Sequence, residues 1–126
     1  MMEAAVDVLK TTFGYDHFRD SQEQVIETLL AGQDALVLMP TGAGKSLCYQ
    51  IPAMVRPGVG VVISPLIALM QDQVAALQLA GVRAETINSG KDRSQNVEIW
   101  RRVAAAFCMA RSLPPYSVVR PNRLWF

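Results

Sequence analysis

The last part of this sequence lacks acidic residues. After Glu98 the chain contains five arginines but no aspartate or glutamate, and three of its seven prolines lie there. From about residue 107 we recognise neither a helical nor a strand period, although Ser117-Val118-Val119 could form a short strand. A basic tail could bind nucleic acid, but the pattern favours a segment that does not join the core. We therefore predict a domain over residues 1–105 and an irregular tail over residues 106–126.

Cysteines are scarce and long hydrophobic runs are missing. Cys48 and Cys108 are too few for a disulfide framework or a four-ligand zinc site, and Cys48 is interpreted as a reduced core residue. Polar residues interrupt every apolar stretch before it reaches membrane-spanning length, and the N-terminus does not resemble a signal peptide. The formal net charge of +1 gives no global basic field for nucleic acid. We predict a cytoplasmic protein with no membrane partner and one buried core.

Apolar residues recur at helical and strand spacings through the first 105 residues. Asp20 and Glu23 resemble a capping box at the start of the second helix, and Pro52 is expected to end the third. The strands are apolar throughout, which suits parallel strands covered on both faces. Their alternation with helices indicates an α/β fold with a parallel sheet and flanking helices. The predicted helices span residues 3–12, 21–31, 45–51, 66–80 and 92–105, and the predicted strands span residues 35–39, 59–63 and 84–87.

The segment Thr41-Gly42-Ala43-Gly44-Lys45-Ser46 follows the strand over residues 35–39 and ends in the Gly-Lys-Ser of a P-loop. Glycines let consecutive backbone N–H groups point at a phosphate with no Cβ in the way. The helix that begins near Lys45 directs its positive dipole end to the same place. Lys45 can reach the β- and γ-phosphates of a nucleotide, and the Ser46 hydroxyl is placed to ligate Mg²⁺. One departure is Met39, which stands where the general pattern has its first glycine.

Polar and aromatic groups that could bind a ligand lie on both sides of the P-loop. Tyr15 and Gln22 could stack on a purine and pair with an adenine edge, respectively, although aromatics beside a helix start are more often core staples. Ser64-Pro65-Leu66 precedes a helix whose N-terminus is a ready phosphate site, with simple N-capping by Ser64 as the alternative. Asn88-Ser89 follows the third strand, at the carboxyl edge where ligands of parallel sheets bind.

The order and spacing of these stretches resemble the RecQ family of superfamily 2 DNA helicases. The similarity runs from about Phe13 to about Arg102, and its most specific part is the continuous string from Met39 to Ala53. Met39 in place of the first glycine is what this family shows, whereas Ala43 stands where a glycine is common. The resemblance implies an incomplete RecA-like P-loop domain and an ATP-dependent 3′–5′ DNA helicase that acts in recombination and repair.

The resemblance also implies a role for each matching residue. Tyr15 would stack on adenine, Gln22 would read its edge and Arg19 would support the nucleotide. Lys45 and Ser46 would be the catalytic residues for ATP and Mg²⁺. Single-stranded or forked DNA would be contacted by Ser64, Pro65, Leu66 and Gln73, with Asn88 and Ser89 as further candidates. The implied nucleotide-binding set is Tyr15, Arg19, Gln22, Thr41, Gly42, Ala43, Gly44, Lys45 and Ser46.

Several parts of a RecQ core do not occur in these 126 residues. There is no Asp-Glu-x-His stretch to hold Mg²⁺ and activate water, and no second RecA-like domain with an arginine finger. The change to arginine, proline and serine after about residue 105 is typical of an out-of-frame translation. We therefore expect a truncated or frameshifted helicase, inactive by itself. The alternative is a non-catalytic nucleotide-binding fragment or pseudogene product.

Two other P-loop classes are less well matched. A kinase would need base- and substrate-binding features after the P-loop helix, which the Ser64-Pro65-Leu66 stretch and the Tyr15–Gln22 group do not suit. A DEAD-box RNA helicase shares the fold, but the string Lys45-Ser46-Leu47-Cys48-Tyr49-Gln50 is more similar to RecQ.

Overall fold

A computed structural model describes residues 1–40, 44–108 and 116–121 of the chain. Residues up to Arg56 form one compact unit and residues from Pro57 onward form another. The first unit contains α1 (Met2–Thr11), α2 (Gln22–Leu30) and α3 (Lys45–Val55). The second contains β1 (Val59–Ser64), α4 (Ile67–Leu79), β2 (Ala84–Thr86), α5 (Arg93–Cys108) and β3 (Tyr116–Pro121). The predicted helices and the second and third predicted strands are thus found close to their expected bounds.

The core of the first unit is built from all three of its helices. Each helix contributes apolar residues three or four positions apart, which places them on one face. Phe13 and Phe18, in the connection between α1 and α2, pack against this core and are half-buried. The buried members are Ala5 and Leu9 of α1, Ile26 and Leu30 of α2, and Leu47 and Ile51 of α3.

The start of α2 differs from the predicted capping box. Asp20 has a φ of +48° and lies outside the helix, and Ser21 is the N-cap without a side-chain cap hydrogen bond. The capping-box prediction was wrong, because the left-handed backbone of Asp20 lies before the N-cap and the carboxylate does not cap the helix. A different side chain bonds to the backbone before α2: Gln22 Oε1 accepts from the Arg19 backbone N–H at 2.9 Å.

The end of α3 also differs from the prediction. Pro52 lies inside the helix, which continues to Val55 and closes with the Arg56 N–H donating to the Pro52 carbonyl at 2.9 Å. A proline inside a helix removes one backbone hydrogen bond. Pro52 and its neighbour Ile51 are both buried, so their packing offsets that loss and the helix does not end there.

The predicted strand over residues 35–39 is not formed. The segment has no regular secondary structure, and Leu36 and Leu38 are 90% and 89% exposed. A parallel strand gains its backbone hydrogen bonds only from neighbouring strands. The described elements of the first unit are all helices, so this apolar segment has no strand partner there.

The second unit contains a three-stranded parallel sheet in the order β1-β3-β2. Val62 of β1 and Thr86 of β2 are both opposite Val119 of β3. The expectation of an irregular tail was therefore wrong for residues 116–121, which form the central strand and include the short strand considered over Ser117-Val118-Val119. Six residues are too few to show a clear period, but the backbone groups of β1 and β2 provide a partner on each side.

Helices α4 and α5 supply the remaining core of the second unit. On α4, Met70, Val74 and Leu77 are buried. On α5, Ile99 and Val103 are buried and belong to the same cluster as Ile87, which follows β2. An ion pair of 3.1 Å between Arg102 and Glu85 also joins α5 to β2. Within the described part of the chain, no helix combines the length and apolar character needed to cross a bilayer.

Candidate nucleotide and DNA contact residues

Gly44 is the described glycine of the P-loop and immediately precedes α3. Its φ of +76° lies in the left-handed region, and a Cβ built on it would collide with Gln22 Nε2. Only glycine combines this backbone conformation with the absence of a side chain. The predicted nucleotide-binding residues Thr41, Gly42 and Ala43 lie outside the described residues.

Gln22 connects the two parts of the predicted nucleotide site. Its Nε2 donates to the Gly44 carbonyl at 3.0 Å, across 22 residues of sequence, while its Oε1 accepts from the Arg19 N–H. The Gln22 side chain is only 1% exposed. From the sequence, Gln22 was expected to recognise adenine. The structure shows that its side chain also hydrogen-bonds to the backbone of the P-loop glycine, Gly44. Helical position and side-chain type gave no signal for this contact, because it depends on how α2 and α3 pack.

The remaining described nucleotide candidates are accessible. Tyr15 is 53% exposed, and its backbone N–H donates to the Leu9 carbonyl at 3.1 Å, which fixes the turn after α1. Arg19 and Lys45 are exposed and Ser46 is half-buried. No acidic residue lies in the first turn of α3, so the dipole of that helix and Lys45 create a positive environment at its start.

Cys48 packs one turn into α3 as an unpaired, buried thiol. Burial raises the pKa of the Cys48 thiol, because desolvation disfavours the thiolate, and a backbone hydrogen bond lowers it by less. The thiol therefore stays protonated near neutral pH. The burial of Cys48 confirms its interpretation as a core residue.

A cleft of about 380 Å³, also in the first unit, was not anticipated from the sequence. It lies between α2 and the segment that follows it, and its lining mixes polar and apolar groups. The apolar residues at 35–39 were assigned to a buried strand, so the sequence gave no reason to expect them on a cleft wall. The lining comprises Ser21, Gln24, Val25, Thr28 and residues 34–39.

The predicted DNA-contact stretch after β1 forms a tight turn into α4. Ser64 Oγ accepts from the Leu66 N–H at 3.2 Å, and Leu66, not Ser64, is the N-cap residue. The alternative of simple N-capping by Ser64 is therefore wrong. Pro65 and Leu66 are exposed, whereas Gln73 is half-buried in the middle of α4.

Asn88 and Ser89 differ sharply in accessibility. Asn88 is 5% exposed and its Oδ1 accepts from the Gly90 N–H at 2.9 Å, closing a turn after β2. Its carbonyl accepts from Asn96 Nδ2 at 3.0 Å, which ties the turn to α5. Ser89 is exposed. The structure thus brings only Ser89 of this pair to the surface.

No metal cluster was found among the described residues: no group of three or more His, Cys, Asp or Glu side chains is positioned to hold an ion. The predicted Mg²⁺ contact of Ser46 involves one hydroxyl, with nucleotide phosphates supplying other oxygens. The nucleotide candidates lie in the first unit and the DNA candidates in the second.

Comparison with known proteins identifies the protein family to which this chain is similar. The model of the DEAD/DEAH box helicase family matches residues 19–116. Among curated proteins, ATP-dependent DNA helicase RecQ of Haemophilus influenzae is 52% identical over 99 residues, covering 79% of this chain and 16% of that protein. RecQ of Pasteurella multocida is 42% identical over 119 residues, covering 94% and 19%. RecQ of Bacillus subtilis is 47% identical over 104 residues, covering 82% and 17%.

These matches confirm the resemblance inferred from the motifs and extend it. The family model continues to residue 116, beyond Arg102, where the recognisable similarity was expected to end. The chain spans less than one fifth of the length of the three relatives. Because the family model covers most of the sequence, this chain belongs to the DEAD/DEAH box helicase family, with its RecA-like P-loop fold, and its relatives include RecQ helicases.

Proposed function

We propose that this chain is the N-terminal, nucleotide-binding part of a RecQ-type ATP-dependent 3′–5′ DNA helicase. The observation that carries the proposal is the Gln22 side chain, which bridges Arg19 and Gly44. Arg19 and Gln22 stand where a RecQ enzyme would hold adenine, and Gly44 stands where it would hold phosphate. Contact between these groups, far apart in sequence, is what a single nucleotide site requires.

Two groups of residues would bind ATP, one at the base and one at the phosphates. Tyr15 would stack on the base beside Gln22, and Arg19 would support the nucleotide. Residues 41–46 would surround the phosphates, with Lys45 on the β- and γ-phosphates and Ser46 on Mg²⁺. This assignment is supported by the exposed Lys45, which lies at the positive N-terminal end of α3.

The buried position of Gln22 limits how it would take part. A side chain with 1% exposure does not present its amide to solvent. We propose that Gln22 holds Arg19 and Gly44 in place beneath the nucleotide, and that its contact with adenine forms when the nucleotide binds. The exposed Tyr15 would then be the first group that the base meets.

DNA would be contacted by the carboxyl edge of the sheet in the second unit. The relatives are named DNA helicases, and we propose single-stranded or forked DNA as the form that is bound. The turn Ser64-Pro65-Leu66 and the N-terminus of α4 would receive a backbone phosphate, with Gln73 further along the same helix. Ser89 is the accessible candidate after β2, and the burial of Asn88 favours an indirect role for it.

The activity of the isolated chain is a separate question. These 126 residues contain no acidic residue after Glu98, and therefore no acid in the region where a RecQ core has its Asp-Glu-x-His stretch. An arginine finger alone contributes about 10³–10⁵-fold to such reactions. We propose that these 126 residues, assayed by themselves, bind ATP without turning it over, with residues 1–105 as the N-terminal motor segment and residues 106–126 as a tail whose first part the family model still matches. A cytoplasmic location stays a prediction.

The alternative of a non-catalytic nucleotide-binding fragment makes the same binding prediction. The two proposals differ in the surrounding gene, because a shifted reading frame would encode Asp-Glu-x-His downstream of the codon for about residue 105. Absence of that stretch from all frames would favour the non-catalytic fragment.

ATP binding and turnover by the purified chain test the proposal. We expect binding that is lost in Lys45→Ala and retained in Lys10→Ala, since Lys10 is an exposed lysine on α1 and not part of the P-loop sequence. Turnover should be undetectable with or without single-stranded DNA. Equal binding by wild-type protein and Lys45→Ala would contradict a P-loop role. DNA-stimulated turnover would contradict the proposal that the chain is catalytically incomplete.

A further inference from the structure

Two amide side chains at the junction of β2 and α5 leave buried polar atoms without partners. Asn88 Nδ2 and Asn96 Oδ1 are both inaccessible to solvent, and neither has a hydrogen-bond partner among the described residues. One is a donor and the other an acceptor. Buried polar groups in native proteins are nearly always satisfied, so this pair requires an explanation.

The Asn96 side chain contacts the backbone of Asn88. Asn96 Nδ2 donates to the Asn88 carbonyl at 3.0 Å, which brings the Asn96 amide against the residue that carries the other unpaired atom. Asn96 lies on the stripe of α5 that also contains Ile99 and Val103, at helical spacings of three and four. Since Ile99 and Val103 are buried against Ile87, the same helical face directs Asn96 toward the end of β2.

Rotation of either amide does not solve the problem. Asn88 Oδ1 already accepts from the Gly90 N–H at 2.9 Å, so exchanging its oxygen and nitrogen would place two donors together. Asn96 Nδ2 already donates to the Asn88 carbonyl, so the same exchange there would place two oxygens together. Both orientations are fixed by bonds that exist, which leaves the Asn88 donor and the Asn96 acceptor to be satisfied by a third group.

We propose that one ordered water molecule bridges Asn88 Nδ2 and Asn96 Oδ1. A water molecule supplies the acceptor that Asn88 needs and the donor that Asn96 needs, and buried waters commonly make about three such bonds. A phosphate would satisfy only the donor, and a cation would satisfy only the acceptor. The mixed pair therefore selects a group that both donates and accepts.

This water would stabilise the turn Asn88-Ser89-Gly90. The turn would be held by the bond from Gly90 to Asn88, the bond from Asn96 to Asn88 and the water between the two amides. Asn88 would then act within the protein, and Ser89 would be the polar side chain of the turn that faces solvent. The water site does not depend on the proposed helicase function, since it is defined by contacts within the second unit.

A high-resolution crystal structure of the complete chain, together with water-to-amide NMR transfer at the Asn88 side chain, tests the proposal. We expect one ordered water within hydrogen-bond distance of both Asn88 Nδ2 and Asn96 Oδ1. A direct bond between those two atoms, or density for no water between them, would overturn it.

Amide hydrogen exchange at Gly90 provides an independent measurement. In Asn96→Leu, which keeps the size of the side chain but removes both its acceptor and the Nδ2 donor to the Asn88 carbonyl, we expect the Gly90 amide to exchange about 10-fold faster through local opening. Ser94→Ala, at an exposed position on the same helix, should leave exchange unchanged. Unaltered Gly90 exchange in a folded Asn96→Leu would contradict the proposal. If this variant does not fold, the crystal structure and the NMR transfer of the wild-type protein still decide whether the bridging water is present.

Discussion

Gln22 Nε2 lies 3.0 Å from the Gly44 carbonyl, and this hydrogen bond joins the start of α2 to the start of α3. The same side chain accepts from the Arg19 N–H, so one buried amide bonds to two backbone segments. A Cβ at Gly44 would collide with that amide. The identity of residue 44 and the position of Gln22 are therefore coupled, and each can be tested through the other.

Alanine substitutions at Gly44 and at Gly32, compared with each other, separate the cost of backbone strain from the cost of a steric clash. Gly32 has a nearly identical φ, +79° against +76° for Gly44, but nothing lies within 4 Å of a Cβ built there. We expect Gly32→Ala to cost about 1–2 kcal/mol, from the left-handed conformation alone. Gly44→Ala should cost about 1–3 kcal/mol more, because displacing Gln22 leaves buried polar groups unpaired. Urea denaturation measures the free energy of unfolding of both variants. Equal losses would mean that Gln22 does not pack against Gly44 and hydrogen-bond to it.

Gln22→Glu tests the same hydrogen bond by changing the donor side chain in place of Gly44. The carboxylate keeps an acceptor for Arg19 but has no proton to donate to the Gly44 carbonyl, so a buried charge would face an oxygen. We expect a loss of about 1–3 kcal/mol in the free energy of unfolding and weaker ATP binding. Gln24→Glu, at an exposed position on the same helix, should change stability by less than about 0.5 kcal/mol. Matching behaviour of the two variants would count against the buried position of Gln22.

The sequence predicted best those features that depend on local spacing. Helices α1, α4 and α5 follow from apolar residues three and four positions apart, such as Met70, Val74 and Leu77. The glycine turn before α3 also follows from local chemistry, since Gly44 needs a positive φ. The candidate site was predicted residue by residue, but which residues contact each other was not.

The features that the sequence did not predict depend on distant partners. Residues 35–39 have the composition of a buried strand, yet a strand exists only beside another strand, and the first unit provides none among its described elements. The strand over residues 116–121 shows the opposite case, because β1 and β2 give pairing to a segment with little pattern of its own. The burial of Asn88 likewise follows from the position of α5. No local sequence motif indicates where that helix packs.

Leu36 and Leu38 should promote aggregation without contributing to stability. Both side chains are about nine-tenths exposed, and contiguous exposed apolar residues favour association. We expect Leu36→Lys combined with Leu38→Lys to reduce light scattering at high protein concentration, with each change altering stability by less than about 0.5 kcal/mol. Leu30→Lys, in the buried core of the first unit, should unfold it. A large loss of stability in the double variant would show that the two leucines are buried.

Val119→Pro tests whether residues 116–121 are the central strand of the sheet. Val119 lies opposite Val62 on one side and Thr86 on the other, so its backbone belongs to a strand that is paired along both edges. Proline has no N–H and is not tolerated inside a central strand. We expect hydrogen exchange to accelerate at the amides of both β1 and β2, because each loses its neighbour when β3 is displaced. Val119→Thr keeps the N–H and a β-branched side chain, so it should leave exchange in β1 and β2 close to wild type. Proline and threonine variants with the same exchange pattern would mean that the tail does not pair with the sheet, and the original expectation of an irregular tail would then hold.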